Sequence, residues 1–339
     1  MNVRDMLKSA VVAGLAALGI AAAAPALAQN EVTIAYQDML DPYRVMQDSK
    51  ALEKATGYKI NWKQFGGGGE VIKALASGAV QLGEVGSAGV AAAVSRGEPL
   101  ELFWILDNIG DAEALVVKKN SGINSVADLK GKKIATPFNS TSHFDVMVAL
   151  EQAHVNPADV QILNMRPPEI RAAWQRGDIQ ATFIWDPVLT EVKKDGKVIT
   201  SSGRIAKETG KATFDGYVVN RDWAKSHHDF VVAFVKILAA ADAHYRDNKS
   251  KWNATSPEVK AVAKWSGAKP EDVPASMALY EFPSLKEQYD TWLGGGKNGL
   301  AAKALAATAE FQMSQKQIEK VLPDYSTAVN ASYVRDAMK

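Results

Sequence analysis

Two stretches of the chain repeat one order of apolar and polar positions. The later reads Arg171-Ala-Ala-Trp-Gln-Arg-Gly177-Asp-Ile-Gln-Ala-Thr-Phe-Ile-Trp185-Asp186-Pro187, and the earlier Ile72-Lys-Ala-Leu-Ala-Ser-Gly78-Ala-Val-Gln-Leu-Gly-Glu-Val-Gly86-Ser87. Each predicts an amphipathic helix, a glycine that stops it, a β-rich apolar run, and small or polar residues where the strand ends. A glycine just past a helix supplies the left-handed conformation that a residue with a Cβ resists. The strand then delivers its last residues to the carboxyl edge of a sheet, where open α/β sheets bind ligands. Two such units predict two similar lobes facing each other across a cleft.

The remaining pattern fills in those lobes. Glu31–Tyr36, Lys59–Lys63, Leu100–Leu106, Glu113–Lys118, Lys133–Thr136, Val160–Leu163 and Gly216–Asn220 read as strands. Helices are expected over Pro42–Thr56 with Gly57 as the stop, from near Glu70, over Gly89–Arg96, over Val126–Gly131, over Phe144–Ala153, and after Pro167-Pro168, since proline is tolerated in a first turn. Alternation of the two kinds argues for mostly parallel sheets flanked by helices, an α/β fold. The apolar strands Glu113–Lys118 and Gly216–Asn220 match in pattern and are read as crossovers forming a two-strand hinge. Lobe two is then 117–217, and lobe one 29–116 together with 218–339. The stretch after Asp222 is expected to be almost wholly helical, over Phe230–Arg246, Glu258–Trp265, Leu285–Leu293, Ala301–Met313 and Lys316–Lys320, and to sit mostly on lobe one.

Composition narrows the class. The 339 residues are 47% hydrophobic, enough for about two domains. The net charge is +1, from 39 basic and 38 acidic residues. Arg4 and Lys8 against Asp5 supply it, so the body is near neutral, which argues against nucleic acid or an anionic membrane as the main partner. There is no cysteine, which excludes disulfides, thiolate metal sites and cysteine nucleophiles. Residues 1–28 combine a basic start, an apolar run over Ala10–Ala24 and an Ala26-Leu27-Ala28 cleavage site, the pattern of a removed export signal. The run is short for a spanning helix of roughly 20 residues, and without cysteine there is no lipid attachment. A free periplasmic protein is expected.

The chain resembles the taurine-binding proteins of ABC importers, within the larger group of sulfonate, nitrate and thiamine-precursor binding proteins. The matching stretches are Val32-Thr-Ile-Ala-Tyr-Gln37, Ala74-Leu-Ala-Ser-Gly78, Glu113-Ala-Leu-Val-Val-Lys-Lys119, Ser140-Thr-Ser-His143, Pro167-Pro168, Ala172-Ala-Trp-Gln-Arg-Gly-Asp178, Lys194-Asp-Gly-Lys-Val198 and Asp215. They span about residues 31–225; the C-terminal helices match only in character. The resemblance implies the two-lobe periplasmic-binding fold of type II kind and capture of a ligand by lobe closure. It also implies a monomer that hands its ligand to a membrane permease and ATPase. Two positions depart from it. Glu70 stands where better-known members carry a small hydroxyl residue, and Asp186 follows Trp185 where a neutral residue occurs. Both add negative charge near a site expected to take an anion.

A taurine-like ligand has a sulfonate two carbons from an ammonium. The sulfonate calls for several well-aimed donors, and helix N-termini offer unpaired N–H groups with partial positive charge. Gly68-Gly69-Glu70 and Ser140-Thr141-Ser142 open one helix in each lobe; Ser87 and the Gln37 amide add donors beside Gly86. The plainer reading of Ser140–Ser142 is an ordinary N-cap, and of the glycine run a flexible loop; no Lys-Ser or Lys-Thr follows it, so it is not a phosphate loop. For the ammonium the candidates are Asp215, Asp186 and Glu70, because charge-assisted bonds are the stronger ones. Asp186 also suits a turn before Pro187, and Glu70 a first-turn acid complementing the helix dipole. Trp185 would cover the methylenes and the cation, or fill core. His143 would donate to the anion or lie on the surface at its helix start. The adjacent His227-His228 pair lacks metal-ligand spacing, and no H-E-x-x-H or G-x-S-x-G is present. A binder without cofactor or metal is expected, with taurine as ligand. The alternatives are another small sulfonate, zwitterion or amine, and an enzyme of the same fold acting on thiamine precursors.

Overall fold

A computed structural model describes residues 30–339; the segment read as an export signal lies outside them. Its strands are β1 (Glu31–Tyr36), β2 (Lys59–Gln64), β3 (Leu82–Gly86), β4 (Leu100–Asn108), β5 (Glu113–Lys118), β6 (Lys133–Thr136), β7 (Gln161–Asn164), β8 (Ala181–Trp185), β9 (Gly196–Ser201) and β10 (Phe214–Asn220). They form two five-stranded sheets, ordered β2-β1-β3-β10-β4 and β7-β6-β8-β5-β9. In the first, β1 pairs parallel with β2 and β3, while β10 runs antiparallel between β3 and β4. The second repeats this, with β6 parallel to β7 and β8, and β5 antiparallel between β8 and β9. This is the α/β two-lobe arrangement, helices covering each sheet.

The repeated sequence units occupy equivalent places. β3 and β8 each lie between the central parallel strand and the antiparallel one. The helix before β3, Gly68–Ala76, is followed by Gly78 at φ +74°, and the helix before β8, Pro167–Arg176, by Gly177 at φ +80°. Both glycines take the left-handed turn that redirects the chain into its strand. The chain changes sheet at 109–112 and again at 202–213, immediately ahead of β5 and β10, each of which pairs wholly within one sheet.

Two expected helices are broken or ended by a left-handed lysine. Pro42–Thr56 is broken into Arg44–Asp48 and Ala51–Thr56 by Lys50 at φ +54°, and Lys316–Lys320 is not helical because Lys316, at φ +58°, turns the chain away after the helix Leu300–Ser314. The C-terminal helices pack on the first sheet, with Phe234, Leu305, Tyr333 and Val334 buried in one cluster with Ile34, Phe103 and Tyr217. Phe311 reaches over to the second lobe, where its ring meets Phe144 edge-on at 5.1 Å.

Candidate functional site

The end of β3 meets the second lobe where both repeats deliver their last residues. A methyl group on Gly86 would lie 2.7 Å from Thr141 Cγ2 and 3.0 Å from Asp215 Oδ1. Thr141 opens the helix Thr141–Gln152, and Gly86 immediately precedes the helix Ser87–Ser95, so one helix start from each lobe faces the other across the backbone of Gly86. Trp185 Nε1 donates to Asp38 Oδ1 at 2.7 Å, joining the end of β8 to the loop after β1. Further out, a methyl on Gly69 would lie 3.1 Å from Phe138 O and 3.3 Å from the Asn139 side chain, and one on Gly66 would collide with Arg166. The cleft is shut, and glycines line its seam.

Asp215 is 4% exposed, and its carboxylate accepts no hydrogen bond among the described residues. Register puts it opposite Asp107 of β4, which is fully buried with both oxygens unpartnered. Burial first, and neighbouring carboxylates second (Glu113 and Asp41 for Asp215), hold both acids well above the usual carboxylate range. Glu113, the first residue of β5, accepts from Thr141 Oγ1 at 2.6 Å through Oε1, while Oε2 has no partner. Burial pushes Glu113 up to about 7, and the hydroxyls around it, led by Thr141, offset part of that rise. Asp38 is raised by burial to about 6 despite the Trp185 N–H. A buried carboxylate without donors is costly unless it is protonated or met by a cation. The nearby Arg44 does not serve: it is fully buried and paired with Glu84 at 2.9 Å and Asp41 at 3.3 Å.

That Arg44 group fixes the loop after β1. Arg44 Nη2 donates to Gln37 O at 2.9 Å and to Met39 O at 3.2 Å, and Glu84 accepts from Gln37 N at 2.5 Å and from the Tyr43 hydroxyl. The Gln37 amide donates to Glu84 O at 3.1 Å.

Other candidates fall into place around this centre. Ser87 is fully buried, and its Oγ accepts from Phe214 N at 3.3 Å, leaving its proton to donate. Ser142 Oγ is buried without a partner. Ser140 is engaged in capping, accepting from His143 N at 3.1 Å and donating to Pro137 O at 2.6 Å. Asp186 Oδ1 accepts from Thr190 N at 2.6 Å, at the start of the helix Val188–Lys193. Glu70 is exposed; it accepts from Gly66 N at 3.1 Å and lines a crevice of about 220 Å3 at the mouth of the cleft with Lys73, Arg166 and Glu169. His143 stacks on Phe138 at 4.4 Å, and burial lowers it to about 4, so it is neutral at physiological pH. Sequence reasoning did not single out Asp38, Asp107 or Glu113. Glu113 stood inside a matching stretch and Asp107 directly after an apolar strand, but strand pairing brings Asp107 to Asp215, and the approach of the lobes through Thr141 brings Glu113.

Comparison with known proteins identifies the family and fold of the chain. Residues 54–248, more than half of the chain, match the family model described as NMT1/THI5 like. The taurine-binding periplasmic protein of Escherichia coli strain K12 is 37% identical over 304 residues, covering 90% of this chain and 92% of that one. Among solved structures, the alkanesulfonate-binding protein SsuA from Xanthomonas axonopodis pv. citri, bound to MOPS, superposes with a TM-score of 0.70 at 23% identity, covering 90% of this chain and 97% of that one. The periplasmic aliphatic sulphonate binding protein SsuA from Escherichia coli gives 0.68 at 23% identity, with 90% and 99% covered. The latter two likenesses show a shared fold, while the family match and the full-length relative go further: the chain belongs to the NMT1/THI5-like family.

Proposed function

We propose that this protein is the solute-binding component of an ABC importer, that it holds taurine in the shut cleft, and that it presents the closed form to a permease and its ATPase. It works in the periplasm as a monomer after removal of residues 1–28, and binds no nucleic acid. The observation that carries the ligand assignment is Asp215, buried without a donor beside the contact of two helix starts. The ammonium sits against Asp215, with Glu113 and Asp107 behind it. The sulfonate, two carbons away, takes N–H groups from the starts of Ser87–Ser95 and Thr141–Gln152 and hydroxyls from Ser87 and Ser142. Trp185 covers the methylenes, while Glu70 and Asp186 stay outside this core. A micromolar binder needs about −8 kcal/mol, which a few charge-assisted bonds of about 1.5–3 kcal/mol each reach on a preformed site.

Thermal melts across a ligand panel test this. Taurine at about 100 times its dissociation constant adds about 2.7 kcal/mol to stability, while ethanesulfonate, lacking the ammonium, raises the melting temperature little. Stabilisation by ethanesulfonate equal to that by taurine rejects the ammonium pocket. A second reading, another small zwitterion or amine, rests on the three carboxylates Asp107, Glu113 and Asp215, whose combined charge exceeds one ammonium; a dicationic amine that outcompetes taurine establishes it. Turnover of a thiamine precursor is not expected, since the chain has no cysteine nucleophile and the histidine nearest the site, His143, is half-buried and stacked on Phe138.

A further inference from the structure

Behind the cleft, the second connection between the lobes and the C-terminal helices enclose a cavity of about 290 Å3, at the small end of ligand pockets, roughly 300–1,000 Å3. Its inner wall is Asn108 at the end of β4 and Thr213-Phe214 at the start of β10. These residues adjoin Asp107 and Asp215 in sequence, and alternation along a strand sends neighbours to opposite faces; neither acid lines the cavity. The outer wall is Trp292, edge-on to Phe214 at 5.7 Å, with Leu300, Ala304 and Ala307. Leu300 is 43% exposed, one of the few large apolar side chains left open to solvent among the described residues. Lys211 and Lys303 stand at the rim, and Lys303 is exposed and has no ion-pair partner among the described residues.

Trp292 belongs to a π-helical turn, Gln288–Leu293, a rare conformation that recurs at functional sites. The same turn buries Gln288, whose amide accepts from Ile105 N at 2.9 Å and donates to Ile105 O at 2.6 Å. The cavity wall is thereby fastened to β4 two residues before Asp107. An apolar floor with an aromatic side and a cationic rim suits an anionic head on an apolar body.

We propose that this hinge cavity is a second binding site, taking an organic anion with an alkyl or aryl body, and that its occupancy shifts lobe closure. The head pairs with Lys303 and Lys211 while the body lies on Phe214, Trp292 and Leu300. Because the second connection forms the wall at 210–213, and Asn108 on the same wall leads directly into the first, a molecule lodged there favours one separation of the lobes over the other, and by reciprocity the cleft ligand changes its affinity.

The test titrates the processed full chain with octane-1-sulfonate and with octanoate by calorimetry and Trp fluorescence, with and without saturating cleft ligand. Binding is expected in both states. Ala307→Phe, at an exposed helix position, fills the cavity and abolishes it; Lys303→Glu lowers affinity about tenfold by reversing the rim charge. A preference for the sulfonate head assigns an alkanesulfonate source and a preference for octanoate a fatty acid, and both support the site. Affinities unchanged in both variants overturn it, as does binding that vanishes when the cleft is filled. Coupling is read as a change of about fivefold in cleft affinity when octane-1-sulfonate is saturating, absent in Ala307→Phe; an unmoved cleft affinity overturns the closure claim. The arm without cleft ligand does not depend on taurine being that ligand, so failure of the two assignments is distinguishable.

Discussion

Asp215, Asp107 and Glu113 are each buried and each short of hydrogen-bond donors, and such groups are rarely kept for stability. Asp215→Asn keeps the shape and removes the charge. Taurine affinity is expected to fall about tenfold to a hundredfold, with ethanesulfonate affinity held or improved, both measured by calorimetry; equal losses for the two ligands would move the ammonium elsewhere. Glu113 gives a pH dependence. Its carboxyl is raised to about 7 in the shut structure, so between its ordinary range and pH 7 the shut cleft without ligand holds a proton that the unfolded chain has released. That contribution favours folding on the acid side and is lost as pH rises toward 7. A bound ammonium favours the charged carboxylate and expels the proton. Taurine affinity is therefore expected to rise with pH up to about 7, by at most about tenfold per unit for one proton, then level off; Glu113→Gln should flatten the profile. A level profile in the unmodified protein removes Glu113 from the pocket. Asp215 was legible from its place before an apolar strand, whereas Asp107 and Glu113 read locally as the polar ends of strands. Their meaning comes from the register Asp215↔Asp107 and from Thr141, 28 positions away from Glu113.

At the scale of elements, the helix–glycine–strand units were legible because a left-handed glycine and a switch of period are local signals, and Gly78 and Gly177 bear them out. Lys50 and Lys316 hold the same left-handed backbone without glycine, so the breaks they make were invisible. Close approach between lobes was equally hidden, since it depends on what a glycine faces. Gly86 sits at φ −68°, ψ 153°, a conformation any residue adopts. Gly86→Ala therefore adds no backbone strain, and its cost falls on the meeting with Thr141 at 2.7 Å. The expected result is a melting temperature of the empty protein close to that of the unmodified chain, with taurine affinity reduced at least about tenfold. Gly69→Ala, with its nearest contact at 3.1 Å, should weaken binding less. Matched losses in melting temperature and affinity for Gly86→Ala would mean that the contact serves folding and not closure.

Across the whole molecule, two sheets of the same strand order are joined by two connections, and in the shut state Trp185 of one lobe donates to Asp38 of the other. Each partner belongs to a different lobe, so the bond exists only when they meet. Trp185→Phe keeps most of the apolar surface and deletes the N–H, leaving a carboxylate already raised to about 6 by burial without its donor. An unpartnered, half-buried group of this kind costs at most about 1–3 kcal/mol, and the cost falls on the shut state alone. The empty protein should melt within about 0.5 kcal/mol of the unmodified chain, while taurine leaves faster and binds about fivefold to a hundredfold more weakly. Stopped-flow dissociation and small-angle scattering, which reads the compaction on binding, measure the two effects. Loss of ring contact with the ligand would mimic part of this, so the second lobe's tryptophan and the first lobe's aspartate are varied together. In a cycle of Trp185→Phe and Asp38→Ala, each change removes the same bond, and the combined loss in affinity should fall short of the sum of the single losses. Asp38→Asn, which keeps an oxygen for the indole, should retain most of the affinity. Strict additivity in that cycle would show that the bond does not hold the lobes shut, and that closure rests on the ligand and the glycine seam alone.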